Sequence, residues 1–288
     1  MAMPETLAGE LERIQRERNE AWRELAVRIE RAQASLNRAA CEEKARLDPA
    51  SGAAALEVGG GVALFVGEGS PLTQALCMGL DRPLAEDELD AIEAHLGRGG
   101  GPVQYELCSM AAPELFAALG RRGYVATEFQ LVWQRPLGAE PIEARLPAGL
   151  EEVRRMRPDE AAACQRVMMA GFMETQPERV SDAALAVMPP LPPGDRQQLW
   201  GALRGGQIIG AGMLHADEET ATLAGTAVLP GHRGLGAQGA LIRARLAEAQ
   251  RRGCTLAVSS TAPGSQSQRN MERHGFRVAF PKVVLAKA

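Results

Sequence analysis

Gly234, Gly236 and Gly239 stand at the spacing G-x-G-x-x-G inside LPGHRGLGAQGALIRARL, residues 229–246, with Arg233 directly before them and Pro230 and His232 just ahead. Residues of these types at this spacing point to anion binding. Glycines let backbone N–H groups come close to phosphate oxygens. A helix beginning at about Ala237 would add unpaired N–H groups and the positive end of its dipole. Arg233 and His232 add positive charge. The alternative is a plain tight turn feeding a helix; several glycines and an arginine at a strand-to-helix junction favour a phosphate ligand over it.

Few residues offer acid–base or nucleophilic chemistry. Asp217, Glu218 and Glu219 lie together in a turn before the strand that leads to the glycines. A solvated turn is their simple reading, and Glu219 is the candidate general base, acting through water. Ser267 and Asn270 share the short segment SQSQRNMERHG and offer hydrogen-bond donors; capping or turn bonding is the alternative for Ser265 and Ser267. His274 beside Gly275 titrates near neutral pH, with packing as its alternative role. Cys254 reads as a core residue. The five cysteines (41, 77, 108, 164, 254) and four histidines (95, 215, 232, 274) are scattered, so neither a disulfide framework nor a metal site is expected.

These residues need elements to position them. Residues 7–36 carry apolar side chains at steps of three and four, or their sums, among charged ones. That pattern predicts a long amphipathic helix packed on the protein's own sheet, with a dimer contact as the alternative. AAALEV, GVALFVG and PLTQALCMGL read as antiparallel strands, DELDAIEAHL as a helix, VQYELCS as a strand and PELFAALGRRG as a short helix. YVATEF and QLVWQRPL read as a closing pair of strands, and PLGAEPIEARLPAG as a linker. The second half opens with the strand GLEEVRRM. Helices follow over about 159–173 and 181–187, then the proline-rich LPP. Next come QQLWGALRGG and QIIGAGMLHA as a hairpin, ATLAGTAVL leading into the glycine loop, a helix stopping at Gly253, the strand TLAVSST, the SQSQRNMERHG helix and a last strand pair ending near Leu285.

The halves end alike, with Gly123–Tyr124 over Gly275–Phe276 after the same order of elements, which suggests a duplicated fold. The duplication supplies an internal control. At the equivalent junction the first half reads GLDRPLAEDELD, with Asp81, Glu86, Asp87 and Glu88 and no glycine cluster, so only the second half can hold a pyrophosphate. A dinucleotide reading fails on two counts: no acid follows roughly 20 residues past the glycines, where Ser259–Ser260–Thr261 stand instead, and only one βαβ step is present.

Composition bounds the function. The chain has 288 residues, 45% hydrophobic and 24% charged, with a net charge of -4. That is the mix of a soluble globular protein with no pull towards nucleic acid or anionic membranes. No apolar run reaches the length of a membrane span, and the first residues read as neither a secretory signal nor a transit peptide. The expectation is a cytoplasmic, metal-free protein, monomer or homodimer.

Residues 148–288 resemble a GNAT-superfamily N-acetyltransferase. The likeness rests on a central strand entering R/Q-x-x-G-x-G/A and a helix, and on a short helix running into G-F at Asn270 to Phe276. The resemblance implies an α/β (α+β) protein of two GNAT-like domains, each a mixed, mostly antiparallel sheet flanked by helices, with the long N-terminal helix in front. Residues 1–140 would be a degenerate domain lacking the loop, and 148–288 the acetyl-CoA-binding domain. It further implies that the amides of Arg233, Gly234, Leu235, Gly236, Ala237 and Gln238 hold the CoA pyrophosphate. Ala227, Val228 and Leu229 would pair with the pantetheine arm, and Ser267 and Asn270 would contact the sulfur or the pantetheine. Val228 and Leu229 are the candidate oxyanion donors, and Glu219 and Ser267 the catalytic candidates. Gln238 replaces the final Gly or Ala, which leaves the backbone donors in place. The tyrosine that many members use as acid is absent: Met271 holds its position, and both tyrosines, Tyr105 and Tyr124, lie in the first half. The implied activity is direct acetyl transfer from acetyl-CoA to an amine, with a non-catalytic acyl-CoA-binding module as the rival and a nucleotide-dependent enzyme as a third idea.

Overall fold

No proline interrupts residues 5–47 and Pro49 follows directly, so one helix of 43 residues runs through them, α1 (Glu5–Leu47). A computed structural model of the protein describes residues 5–187 and 194–287. The proline-rich stretch at 189–193 lies outside the described residues, as do the side chains of Leu7 and Leu11. From Ala26 onward α1 buries Ile29, Ala32, Leu36 and Ala40 at helical spacing, so the stripe packs on the protein's own sheet. Its described side chains before Leu25, Ile14 and Trp22 among them, are exposed.

The first half continues with β1 (Ala54–Val58), β2 (Gly61–Phe65), β3 (Gln74–Leu76), α2 (Glu86–Gly97), β4 (Val103–Cys108), α3 (Pro113–Arg121) and β5 (Val125–Pro136). The second half runs β6 (Glu152–Arg155), α4 (Ala161–Phe172), α5 (Asp182–Ala186), β7 (Gln197–Arg204), β8 (Gln207–Asp217), β9 (Thr220–Val228), α6 (Ala237–Arg251), β10 (Leu256–Thr261), α7 (Gln266–Arg273) and β11 (Arg277–Lys287).

All eleven strands join one mostly antiparallel sheet in the order β1-β2-β3-β4-β11-β5-β10-β9-β8-β7-β6. The closing strand of each half has changed places: β11 pairs with β4, and β5 pairs with β10. The two exchanged strands pair antiparallel with each other in the middle of the sheet. There Arg277 faces Gln134 and Ala286 faces Val125. With Gly123 set over Gly275, these two pairs are images of one another, which is the mark of an internal two-fold.

This corrects the reading of YVATEF/QLVWQRPL and of the chain's end as strand pairs. Neither segment contains the Gly, Asn or Asp that a tight turn requires, so each chain runs straight on. Each half then pairs the long strand with its counterpart instead of folding it back. The register shift between Val278 and Phe280 absorbs the irregularity just before Pro281.

Alternation of side chains divides the sheet into two faces. Ala211 and Met213 turn to α4, where they meet Cys164, Val167 and Met168. Val132, Val258 and Phe280 lie on the same face under α1. On the opposite face Leu214 and Leu223 pack against Ile242 and Leu246 of α6, and Tyr105 and Leu107 pack against α2 and α3.

Candidate functional site

β9 is gripped on both sides only at its start. It pairs with β10 from Thr220 to Thr222, opposite Leu256 to Val258. The Ser259 hydroxyl then donates to the Leu223 carbonyl at 2.8 Å, and beyond that contact the ladder between the two strands stops. On the β8 side pairing continues to Val228 opposite Gly210, through a bulge between Ala211 and Met213. Gly225 makes the bulge. Its φ is +60°, and a Cβ there would lie 2.5 Å from the Met168 Cε.

The Leu229 amide donates to the Ile209 carbonyl of β8 at 2.9 Å, and its carbonyl accepts from His232 N–H at 2.9 Å. Strand alternation therefore turns the Val228 N–H and carbonyl away from β8; the carbonyl accepts from Arg233 Nε at 3.4 Å, and the N–H has no partner among the described residues. Of the candidate oxyanion donors, Leu229 is thus already engaged and Val228 remains. The backbone groups of Ala227, level with Ala211, address β8 as well.

Beneath the bulge lies a residue that sequence reasoning missed. Arg245 of α6 is wholly buried. It donates to the Leu241 carbonyl at 3.0 Å, the Met213 carbonyl at 2.8 Å and the Thr226 hydroxyl at 2.7 Å, and no carboxylate pairs with it among the described residues. Burial pushes its pKa down to about 9, which leaves it charged at neutral pH. The signal was present: Arg245 falls in the inner stripe Leu241, Ile242, Leu246, Ala249, where an unpaired charge has no packing role.

After β9 the chain makes one short helical turn at Pro230–His232 and then the glycine loop. Gly234 and Gly236 have φ of +83° and +80°, and Gly236 caps α6. The Arg233 amide is used by the Pro230 carbonyl. The amides from Gly234 to Gly239 donate to no described residue. Gly234 and Gly236 are exposed and Leu235 half-buried, so this fan of donors at the start of a helix faces outward.

The Arg233 guanidinium turns away from that fan. It pairs with Glu174 at 2.9 Å and caps the end of α4 through the Gly171 carbonyl at 3.1 Å. Gln238 turns towards α7: its amide donates to the Ser267 hydroxyl at 3.3 Å and its oxygen accepts from Asn270 at 2.7 Å. Ser267 and Asn270 are thereby held beside the first turn of α6. Ser265 caps α7 by accepting from Gln268 N–H at 3.1 Å. The His274 Nδ1 lies 2.8 Å from the Asn270 carbonyl, and burial lowers its pKa.

Other candidates stand apart. Glu219 precedes β9 at its far end, and nine residues of strand at about 3.3 Å each place it roughly 25–30 Å from Val228. Its backbone carbonyl ties to Thr255 and Arg28. Met271 is 3% exposed, in the core with Phe276. Cys254 is buried, and burial raises its pKa. Tyr105 and Tyr124 are buried in the first half, and both phenols are pushed up by burial.

The equivalent junction in the first half is filled by its own acid. The Glu88 carboxylate accepts the Ala85 amide at 2.9 Å and binds Arg82 through both oxygens, which holds it down to about 2. A phosphate would find the amide at the start of α2 already taken and three acids, Glu86, Asp87 and Glu88, in its first turn.

Residues 167–276 match the Acetyltransferase (GNAT) family. The structure is similar to a GCN5-related N-acetyltransferase from Kribbella flavida, at TM-score 0.63 and 18% identity over 88% of this chain and 95% of that one. A tandem GNAT protein from the clavulanic acid biosynthesis pathway superposes at TM-score 0.54 and 14% identity, over 79% and 78%. A GCN5-related N-acetyltransferase from Sphaerobacter thermophilus does so at 0.52 and 18%, over 70% and 65%. At these identities the likenesses show a shared fold. No curated protein matches the sequence.

Proposed function

We propose, from the premise that residues 167–276 belong to the GNAT acetyltransferase family and that the family moves acyl groups from acyl-CoA, that this protein transfers an acetyl group from acetyl-CoA directly to an amine. One observation carries the reading: the amides from Gly234 to Gly239, without partners among the described residues, in a loop whose Gly234 and Gly236 are exposed, at the end of a strand that β10 leaves unpaired. Amides so placed suit a diphosphate, since they add the helix's positive end to close backbone approach. The edge of β9 that β10 leaves free beyond Leu223 suits the pantetheine. In this reading residues 148–288 hold the cosubstrate and the first half shapes the acceptor side.

The bound thioester would supply the activated acetyl carbon. The amine nitrogen's electron pair forms the C–N bond, the C–S bond breaks with its pair on sulfur, and the amine's proton passes to solvent or to the thiolate. The chain's part is to hold and polarise. The Val228 N–H donates to the carbonyl oxygen as negative charge gathers on it. The uncompensated charge of Arg245, behind Thr226, favours negative charge at that edge in a poorly screened interior. Ser267 and Asn270 stand beside the loop as donors to the sulfur or the pantetheine. Glu219, at the far end of β9, takes no part.

Met271, buried where many members of the family have a tyrosine acid, favours a second reading: a module that binds acyl-CoA without turning it over. Two measurements separate them. Calorimetry should show CoA binding that weakens at least ten-fold in Gly234→Val, because a β-branched residue cannot adopt φ of +83°. Unchanged affinity in that variant, its circular dichroism intact, removes the assignment. Release of free thiol that depends on added amine supports the transferase; tight binding without release supports the module.

A further inference from the structure

A cavity of about 410 Å³ lies between α1 and the central strands, on the α4 face of the sheet. Thr222, Leu223, Ala224 and Gly225 of β9 and Ser260 of β10 line one side, which is where those two strands part. The other side comes mainly from the first half, α1, β3, β4 and β5, with Val284 of β11 beside them. We infer that this cavity receives the acceptor, and that the acceptor is a compact amine carrying several hydroxyl groups. The inference rests on the acyltransferase reading and adds to it the place and chemical class of the second substrate.

Position is the first argument. The cavity touches β9 at Gly225, three residues before the Val228 N–H on the same strand. An amine seated there would meet the open edge from the face opposite α6. Size is the second, since the volume falls in the range of small-molecule sites, roughly 300–1,000 Å³.

Charge is the third. Glu106 and Glu128 line the cavity, and among the described residues no lysine, arginine or histidine does. Beneath it Lys282 is fully buried, with its Nζ 2.7 Å from Glu106 and 2.8 Å from Glu30. That one cation is already shared between two carboxylates, and its remaining contact is the Gln33 side-chain oxygen at 2.6 Å. The cavity therefore attracts a cation.

Hydrogen-bonding capacity is the fourth argument and sets the class. The Asn37, Gln74 and Gln104 carboxamides line the cavity, and no described residue bonds to any of them. The Thr222 hydroxyl, 3% exposed, is buried on the same wall without a partner among the described residues. A carboxamide both donates and accepts, and so does a hydroxyl. A ligand bearing several hydroxyls satisfies both ends of each carboxamide, whereas an alkyl amine leaves them unpaired. Sites built to bond hydroxyls reject analogues that lack them by large factors.

The test uses two six-carbon primary amines, glucamine with five hydroxyls and hexylamine with none, and a tripeptide amine beside them. Each is titrated calorimetrically into the 288-residue chain saturated with CoA, and each is assayed for thiol release from acetyl-CoA. Glucamine should bind at least ten-fold more tightly than either competitor. Glu128→Gln and Gln104→Leu should each weaken glucamine at least five-fold, with CoA affinity and melting temperature unchanged. Equal or tighter binding of hexylamine or the tripeptide overturns the inference, as does glucamine affinity indifferent to both substitutions. Those results leave CoA binding at the loop intact. Failure of CoA to bind strikes the acyltransferase reading instead, and glucamine titrated into the protein alone then reads the cavity directly.

Discussion

Burial decides what each titratable side chain can do. His215, 1% exposed, reaches only the Ser35 hydroxyl at 3.2 Å, and its Nδ1 has no partner among the described residues. Burial lowers its pKa, as it does for His95 and His274. A base whose folded pKa lies below its unfolded value of about 6.5 keeps the fold at full stability above that pH. Stability is then lost as pH falls through that value towards the folded one. The melting temperature should therefore drop as pH is lowered through about 6.5 and below. His215→Gln should flatten that slope in a thermal-shift series; an unchanged slope would place the acid sensitivity elsewhere. The sequence showed the glycines, Gln238, Ser267 and Asn270 as candidates, and the fold brings them together. It could not show that the Arg233 guanidinium is spoken for by Glu174 and Gly171, because those partners lie 59 and 62 residues away.

Among the elements, β9 with its loop and α6 was legible almost residue for residue, because its signals are local: an apolar run, glycines with positive φ, a helical stripe and the stop at Gly253. β11 was not, because its pairing is set by strands far back in the chain. Lys282 pins it. The residue faces Cys108 across the ladder, and its Nζ reaches Glu106 on β4 and Glu30 on α1. Burial pushes the Glu30 carboxyl up, while the neighbouring carboxylates hold the Lys282 ammonium firmly protonated. Lys282→Met would leave two carboxylates without their cation and should destabilise the protein by about 3–5 kcal/mol in urea unfolding. Adding Glu30→Gln to that variant should recover part of the loss. A single variant within about 0.5 kcal/mol of the wild type would show that the triad does not hold the strand.

At the scale of the molecule, exchange of β5 and β11 makes each half depend on the other. β10 has β5 as its outer neighbour, and β4 has β11. A chain ending at 140 would expose the edge of β4, and one beginning at 148 would expose the edge of β10, each an open ladder prone to association. The full chain should unfold in one cooperative transition by both circular dichroism and tryptophan fluorescence. Residues 148–288 alone should be aggregated, or should lose CoA affinity at least ten-fold. A monomeric fragment binding CoA as the full chain does would contradict the interdependence. The cavity between the halves follows from the same exchange, since it is walled by α1, β4 and β5 on one side and β9 on the other.

The sequence alone determined most of the elements, though not the single strands β5 and β11, and with them the loop and its absence from the first half, because turn chemistry, helical periodicity and a run of acids act within a few residues. Which closing strand lies beside which half, whether Arg245 lies buried beneath a bulge, and where polar side chains from both halves converge are matters of long-range pairing. Two similar halves offer each closing strand two equivalent edges, and neighbouring residues say nothing about which is taken. Only the completed sheet settles that choice.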